Sequence, residues 1–316
     1  MLANVLSPST LDVARPSLFY DHLATLATQA LIAEAELTPK PGLVDRRGSG
    51  AHVDLSLDLI RRSAIALEPY FSMMATVSAQ QNLDTHLRQE LGTIGRDAER
   101  AMYEVTGGSN SHKGAIWIVG LLVAAAARLV RPNAEDIAAL AGVIARLPDR
   151  AWSKVITHGD IVRIRHGAAG ARGEAVNDFA HVIQFGLPTL RRQRGVRFSE
   201  QVGRLDALLS IMSRLDDTCV LYRGGVEALH VVRSGAEAVL RAGGYGTPPG
   251  REEMDKLDRE LIARNVSPGG SADLLAATIF LDAVVHQQGE VRCDQSEWEE
   301  KKWRSLSLTI PRRSDG

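Results

Sequence analysis

Nearly every long segment of this 316-residue chain repeats its apolar residues at helical spacing, and almost none alternates as a strand would. In "LFYDHLATLATQALIAEAE", Phe19, Leu23, Leu26, Ala30 and Leu31 fall on one face. The same pattern predicts helices near 55–79, 87–105, 114–130, 134–147, 174–190, 199–216, 224–242, 252–264 and 271–287. Asn133, after Pro132, suits an N-cap, and Pro148 marks the end of that helix. Only "VRIRH" and "LSLTI" read as short strands. The expected class is all-α: a single compact multi-helix domain over 18–288, with a loose tail at 1–17 and a charged extension at 289–316. No repeat of fixed period points to a solenoid.

Composition narrows the partners. A 45% hydrophobic content fills a sizeable core. Thirty-seven basic against 38 acidic residues leave a formal charge of −1, so no whole-chain field attracts nucleic acid or an anionic membrane. Cys219 and Cys293 lack metal-ligand or redox-motif spacing, which fits a reduced, cytoplasmic protein. The N-terminus does not look like a secretory signal. The apolar run from Gly114 to Ala127 falls short of the roughly 20 residues a spanning helix needs, so it reads as a buried core helix. The stretches near 191–199 and 243–252 read as flexible, the first carrying Arg191, Arg192, Arg194 and Arg197.

Five segments break the helical pattern with glycine and polar groups together: "TPKPGLVDRRGSGAHVD", "TGGSNSHKG", "HGAAGARGEAVNDF", "DDTCVLYRGGVEAL" and "NVSPGGSADLL". In four of them the turn leads straight into an apolar helix, leaving backbone N–H groups at a positive dipole end where phosphate can sit. The prolines around Lys40 favour an extended, exposed segment that presents its ammonium to a phosphate. Ser109, Asn110, Ser111, His112 and Lys113 precede the buried helix; capping accounts for a Ser or Asn there, and His112 alone for a structural histidine. Lys113 at a helix N-terminus is locally unfavourable without an anion. Spacing of four places Glu174 and Asp178 on one helical face, where Mg²⁺ or an arginine would relieve their repulsion. Asp216, Asp217, Arg223 and Glu227 repeat the formula, as do Ser271, read as a cap, and Asp273. Basic Lys40, Arg46, Lys113, Arg172 and Arg223 with acidic Asp45, Asp54, Glu174, Asp178, Asp217 and Asp273 suggest a metal–nucleotide site. No Walker sequence, dinucleotide fingerprint or H-E-x-x-H zinc signature is present.

In this order, "TPKPGLVDR…GAHVD", "NSHKGAI", "GARGEA", "DDTCVLYRGG" and "SPGGSADLLA" resemble the triphosphoribosyl-dephospho-coenzyme A synthase family across about 24–285. Ser111 stands where threonine is expected and Cys219 where asparagine is expected. The resemblance implies an all-helical enzyme that joins ATP to 3′-dephospho-coenzyme A and releases adenine. The acceptor 2′-hydroxyl would attack C1 of the ATP ribose, as in an inverting glycosyl transfer. It further implies Asp54, Glu174 and Asp217 in base, sugar-cation or metal roles. His52 would protonate adenine, or else pack under the Gly48–Ser49–Gly50 turn. Lys40 and Arg46 would hold triphosphate, and Asn110, His112, Lys113, Arg172, Arg223, Gly224, Gly225, Ser267, Gly269, Gly270 and Ser271 would line the substrates. Asp45, Asp178 and Asp273 would hold Mg²⁺. Overall length and the arginine-bearing connection are closer to the malonate decarboxylase type than to the citrate lyase type. The implied partners are a downstream transferase or acyl carrier protein and a second copy of the chain. Two other readings stay open. One is a helical metal-dependent nucleotide hydrolase, suggested by His52-Val53-Asp54 and His158-Gly159-Asp160; the other is a non-catalytic nucleotide- or carrier-binding module.

Overall fold

A computed structural model describes residues 17–149, 158–195 and 199–286. Its helices are α1 Ser17–Glu36, α2 Leu57–Gln80, α3 Thr85–Thr106, α4 Lys113–Arg128, α5 Ala134–Arg146, α6 His158–His166 and α7 Gly170–Val176. A π-helical turn, Val182–Gly186, leads into α8 Leu187–Gly195. There follow α9 Glu200–Met212, α10 Thr218–Arg241, α11 Pro248–Ala263 and α12 Gly269–His286. Among the described residues there is no strand, only an isolated bridge between Asp45 and Gly48. The all-α class stands. "VRIRH" is helical, as part of α6, because Val162 alone faces the core while its neighbours are solvated. "LSLTI", Cys293 and Arg197 lie outside the described residues.

Local chemistry sets the helix starts. Asn133 accepts from Asp136 N at 2.7 Å, Ser56 from Leu59 N at 3.3 Å, and Thr247 from Gly250 N at 3.0 Å, just before Pro248. The segment expected as one helix over 174–190 is broken instead. α7 ends at Val176, and Asp178 and Phe179 both take φ of 54°, outside the helical region.

Side-chain bonds fix the helix directions. α1 and α2 are antiparallel: Ser72 donates to Asp21 at one end, and Arg61 pairs with Glu36 at the other. α2 and α4 are parallel, since Ser63 meets His112 near their starts and Ser78 donates to the Ala124 carbonyl further along. α4 is the central helix, buried from Ala115 to Ala127 apart from Trp117, and Gly120 lets Met74 of α2 pack against its backbone. α12 is apolar and long enough to cross a membrane by composition, but it is mostly buried as a core helix here. One core runs from Tyr20 to Val284, and at one end of it the N-termini of α2, α4, α10 and α12 come together.

Candidate active site at converging helix N-termini

The segment between α1 and α2 is organised by Asp45, which is buried and accepts from Lys40 N at 2.8 Å, Thr38 Oγ1 at 3.1 Å and Arg47 N at 2.7 Å. Lys40 is not exposed as expected. Only 2% of it is accessible, and its Nζ donates to Glu34 Oε1 at 2.5 Å and to the Glu34 carbonyl at 2.7 Å. The prolines do stiffen the chain, but they turn it inward against the C-terminal turn of α1, where a cation is favourable. Arg46 projects outward, 60% exposed, to Glu36, and it is Arg47 that reaches inward to Asp258 of α11 at 2.8 Å. Gly42 at φ 68° passes so near α11 that a Cβ would lie 2.9 Å from Leu261 Cβ, and 2.6 Å from the Val266 carbonyl just beyond that helix.

At the start of α4, Asn110 Oδ1 accepts from Lys113 N at 3.1 Å, the capping role its residue type allows. His112 is buried, with Nδ1 2.9 Å from Ser63 Oγ, which is itself 2.7 Å from Ser111 Oγ. Burial, and then the Lys40 charge, push His112 down to about 4, so it is neutral. Lys113 has an anion after all: Glu99 of α3 lies 3.0 Å from its Nζ and also accepts from Trp117 Nε1 at 2.6 Å. Sequence reading missed Glu99, which stands in an ordinary amphipathic helix with no motif around it. Gly114 is required by its neighbour, since a Cβ would sit 2.0 Å from Asp273 Oδ2.

Asp217 joins α10 to α12. It accepts from Cys219 N at 2.9 Å and Val220 N at 3.4 Å in its own helix, then from Gly270 N at 3.3 Å, Ser271 N at 2.8 Å and Ser271 Oγ at 2.9 Å in the other. Ser271 is therefore not the cap of α12, and a carboxylate from a neighbouring helix satisfies those N–H groups instead. Burial raises Asp217 from the ordinary carboxylate range in spite of these donors. Asp273 is raised well above it by burial and by the charges of Glu34 and Asp217, against one donor, Ala115 N–H. Cys219, an exposed free thiol, stands beside these carboxylates, and its N–H is one of the groups from which Asp217 accepts. Gly269 and Gly270 keep the turn thin, since a Cβ would come within 3.0 Å of Cys219 Sγ and 3.1 Å of Asp217 Oδ1 respectively. Ser267 lies in the same turn with its buried Oγ unpartnered.

Arg223 clasps the loop before α2. Its Nη1 donates to the Ala51 carbonyl and its Nη2 to His52 Nδ1, both at 3.3 Å. Burial and Arg223 lower His52, opposed by Asp54 at 3.6 Å. Asp54 remains 52% exposed, and Ser109 Oγ donates to its carbonyl at 3.2 Å, which ties this loop to the start of α4. Just beyond Arg223, Gly224 packs on Val266, and Gly225 breaks α10 with φ 66° and ψ −162°.

The α7 region is organised separately. Glu174 and Asp178 do not share a helical face. Glu174 accepts from His181 N at 2.8 Å and meets His181 Nδ1 at 2.7 Å, whereas Asp178 pairs with Arg146 of α5 at 2.9 Å. The left-handed turn at 178–179 sends them apart. Arg172 is exposed on α7, near enough to Arg88 to disfavour that buried guanidinium's charge, an effect secondary to burial. α7 still adjoins the start of α10, because a Cβ on Gly170 would lie 3.2 Å from Thr218 Cγ2. Thus Lys40, His52, Asp54, Asn110, His112, Lys113, Asp217, Arg223, Ser271 and Asp273 belong to one linked end of the bundle; Arg46 lies at its rim and Glu174 and Asp178 in other networks. Among the described residues, no three His, Cys, Asp or Glu side chains are arranged to hold a metal ion by themselves.

The described residues form an all-helical bundle with several helix N-termini, flanked by lysine and arginine, gathered at one end, a setting that suits anionic ligands. The family model CitG, "ATP:dephospho-CoA triphosphoribosyl transferase", matches residues 20–291, and the chain belongs to that family. A relative from Pseudomonas paraeruginosa, described as "Probable 2-(5''-triphosphoribosyl)-3'-dephosphocoenzyme-A synthase", is 53% identical over 82% of this chain and 89% of its own length. Relatives with the same description from Pseudomonas fluorescens and Pseudomonas putida are each 51% identical. They cover 84% and 83% of this chain, and 91% and 94% of their own lengths. No solved structure matches the chain.

Proposed function

We propose that this chain transfers the 5-triphosphoribosyl group of ATP to the 2′-hydroxyl of 3′-dephospho-coenzyme A, releasing adenine. Beside membership in the transferase family, the observation that carries this reading is the convergence of the α2, α4, α10 and α12 N-termini, braced by Asp217 and flanked by Lys113 and Arg223. Lys113 and Arg223 can each offer phosphate a charge-assisted bond there. Each cation there already has a protein partner, which phosphate would replace: Lys113 leaves the Glu99 carboxylate, and Arg223 turns from the neutral Ala51 carbonyl. Asp54, accessible beside them, accepts the proton of the attacking hydroxyl. His52, held between Arg223 and Asp54, is placed to hydrogen-bond a ring nitrogen of the leaving adenine. Asp217 keeps the two helix ends in register and adds negative charge near the developing sugar cation.

Asp273 lies within the influence of the Glu34 and Asp217 carboxylates, and this grouping of oxygen donors fits a Mg²⁺ carried in on the triphosphate. Asp273 would be its protein ligand. The ion would neutralise phosphate charge. Asp45 and Asp178 are committed to other donors and are not assigned to it. The product serves as a prosthetic-group precursor for malonate decarboxylase, a choice over citrate lyase that rests on sequence resemblance alone, and a downstream transferase passes it to an acyl carrier protein in the cytoplasm.

The test supplies purified protein with Mg²⁺, ATP and 3′-dephospho-coenzyme A. Free adenine should appear in step with a coenzyme product that retains all three phosphates, and neither substrate alone should suffice. ADP or AMP without acceptor would support the hydrolase reading, and binding without turnover the non-catalytic module.

A further inference from the structure

The far side of α1 and α2 carries features that the proposed reaction does not use. Leu18, Ile65 and Met73 are 77%, 57% and 47% exposed on these two neighbouring helices. Between the helices lies a hollow of about 540 Å³ lined by Asp21, Ala24, Ile65, Glu68, Pro69 and Ser72. Pro69 sits inside α2 and has no N–H, so the Ile65 carbonyl receives no i to i+4 bond from it. The hollow carries two carboxylates, Asp21, which accepts from Ser72, and Glu68, which accepts from Thr25 at 2.8 Å, and no basic residue lines it. One turn before Ile65 on the same helix stand Arg61 and Arg62, 50% and 58% exposed; Arg61 pairs with Glu36, and Arg62 with the exposed Asp58 at 3.0 Å, a surface pair that costs little to exchange.

This arrangement is self-complementary. If two α2 helices are laid antiparallel with Ile65 near the axis, Arg62 of each copy comes opposite Glu68 of the other, and the two isoleucines meet between them. A two-fold contact needs this kind of pairing, in which one patch serves both sides. We propose that the outer face of α1 and α2 is an isologous interface between two copies of this chain, with Ile65 at its centre and Arg62 of each copy reaching into the other's α1/α2 hollow.

Sedimentation velocity on the full chain over a concentration series tests this. The wild type should sediment as a dimer of the 34.2 kDa chain. Ile65→Glu should raise the dimer dissociation constant by about 30-fold or more while leaving far-UV circular dichroism unchanged, since the side chain is already half exposed. Arg62→Glu should also weaken the dimer, and adding Glu68→Arg to it should restore association. A wild type that stays monomeric throughout, as it would if residues of its own chain cover the face, overturns the proposal. So does a dimer indifferent to both Ile65→Glu and Arg62→Glu.

Discussion

Single residues at the candidate site divide by whether their charge is held inside the protein or offered outward. Lys40 is the clearest inward case: with Glu34 it forms a buried pair, and Lys40→Ala would leave the carboxylate uncompensated. Urea unfolding should show a loss of about 3–5 kcal/mol. Lys113 and Arg223 are more open, so Lys113→Ala and Arg223→Ala should change stability little and reduce apparent ATP affinity or turnover by about tenfold, the value of a charge-assisted phosphate contact. Unchanged kinetics would return both to a structural role. Buried His112 and half-buried His181 predict opposite pH limbs. His112 is lowered to about 4 in the fold, so the stability of its neutral form is present above the ordinary 6.5 and lost as pH falls from there toward 4. His181 is raised, chiefly by its bond to Glu174, so its contribution is complete below 6.5 and lost as pH rises through the higher folded value. Unfolding midpoints across pH should therefore show a shallower acid loss for His112→Gln and a shallower alkaline loss for Glu174→Gln than for the wild type.

At the scale of elements, the helix junctions hold the information. Asp217 accepts four backbone N–H groups and one hydroxyl across α10 and α12, so Asp217→Ala strands buried donors at both helix ends. A loss of about 3 kcal/mol or more is expected, with impaired adenine release even where the protein remains folded. Gly225 is a purer backbone case, because a Cβ added there would meet nothing within 4 Å while φ is 66°. Gly225→Ala should cost about 1–2 kcal/mol by conformational strain alone, measured by thermal unfolding. The sequence marked these junctions by their glycines and polar clusters, and placed the cap at Asn133 correctly. It misassigned Ser271, and it ran a helix through 174–190, because periodicity does not register a left-handed turn or a carboxylate arriving from another helix.

For the whole molecule, one core links α1 to α12, so calorimetry should record a single unfolding transition, and ATP should raise its midpoint by mass action. Two separated transitions would contradict the single-domain reading. The all-helical class followed from sequence because the 3.6-residue apolar period is a local property, repeated in nearly every segment. The family was legible for the same reason: glycine turns and their charged neighbours stand contiguous in five short stretches. What those charges face was not legible. Lys40 turns inward to Glu34, Lys113 takes Glu99 from a different helix, Glu174 and Asp178 part company, and Asp217 bridges helices whose starts are some fifty residues apart. A side chain's partner depends on which helices pack side by side and in which direction. That is fixed by burial of the whole apolar surface, so only the tertiary structure decides it.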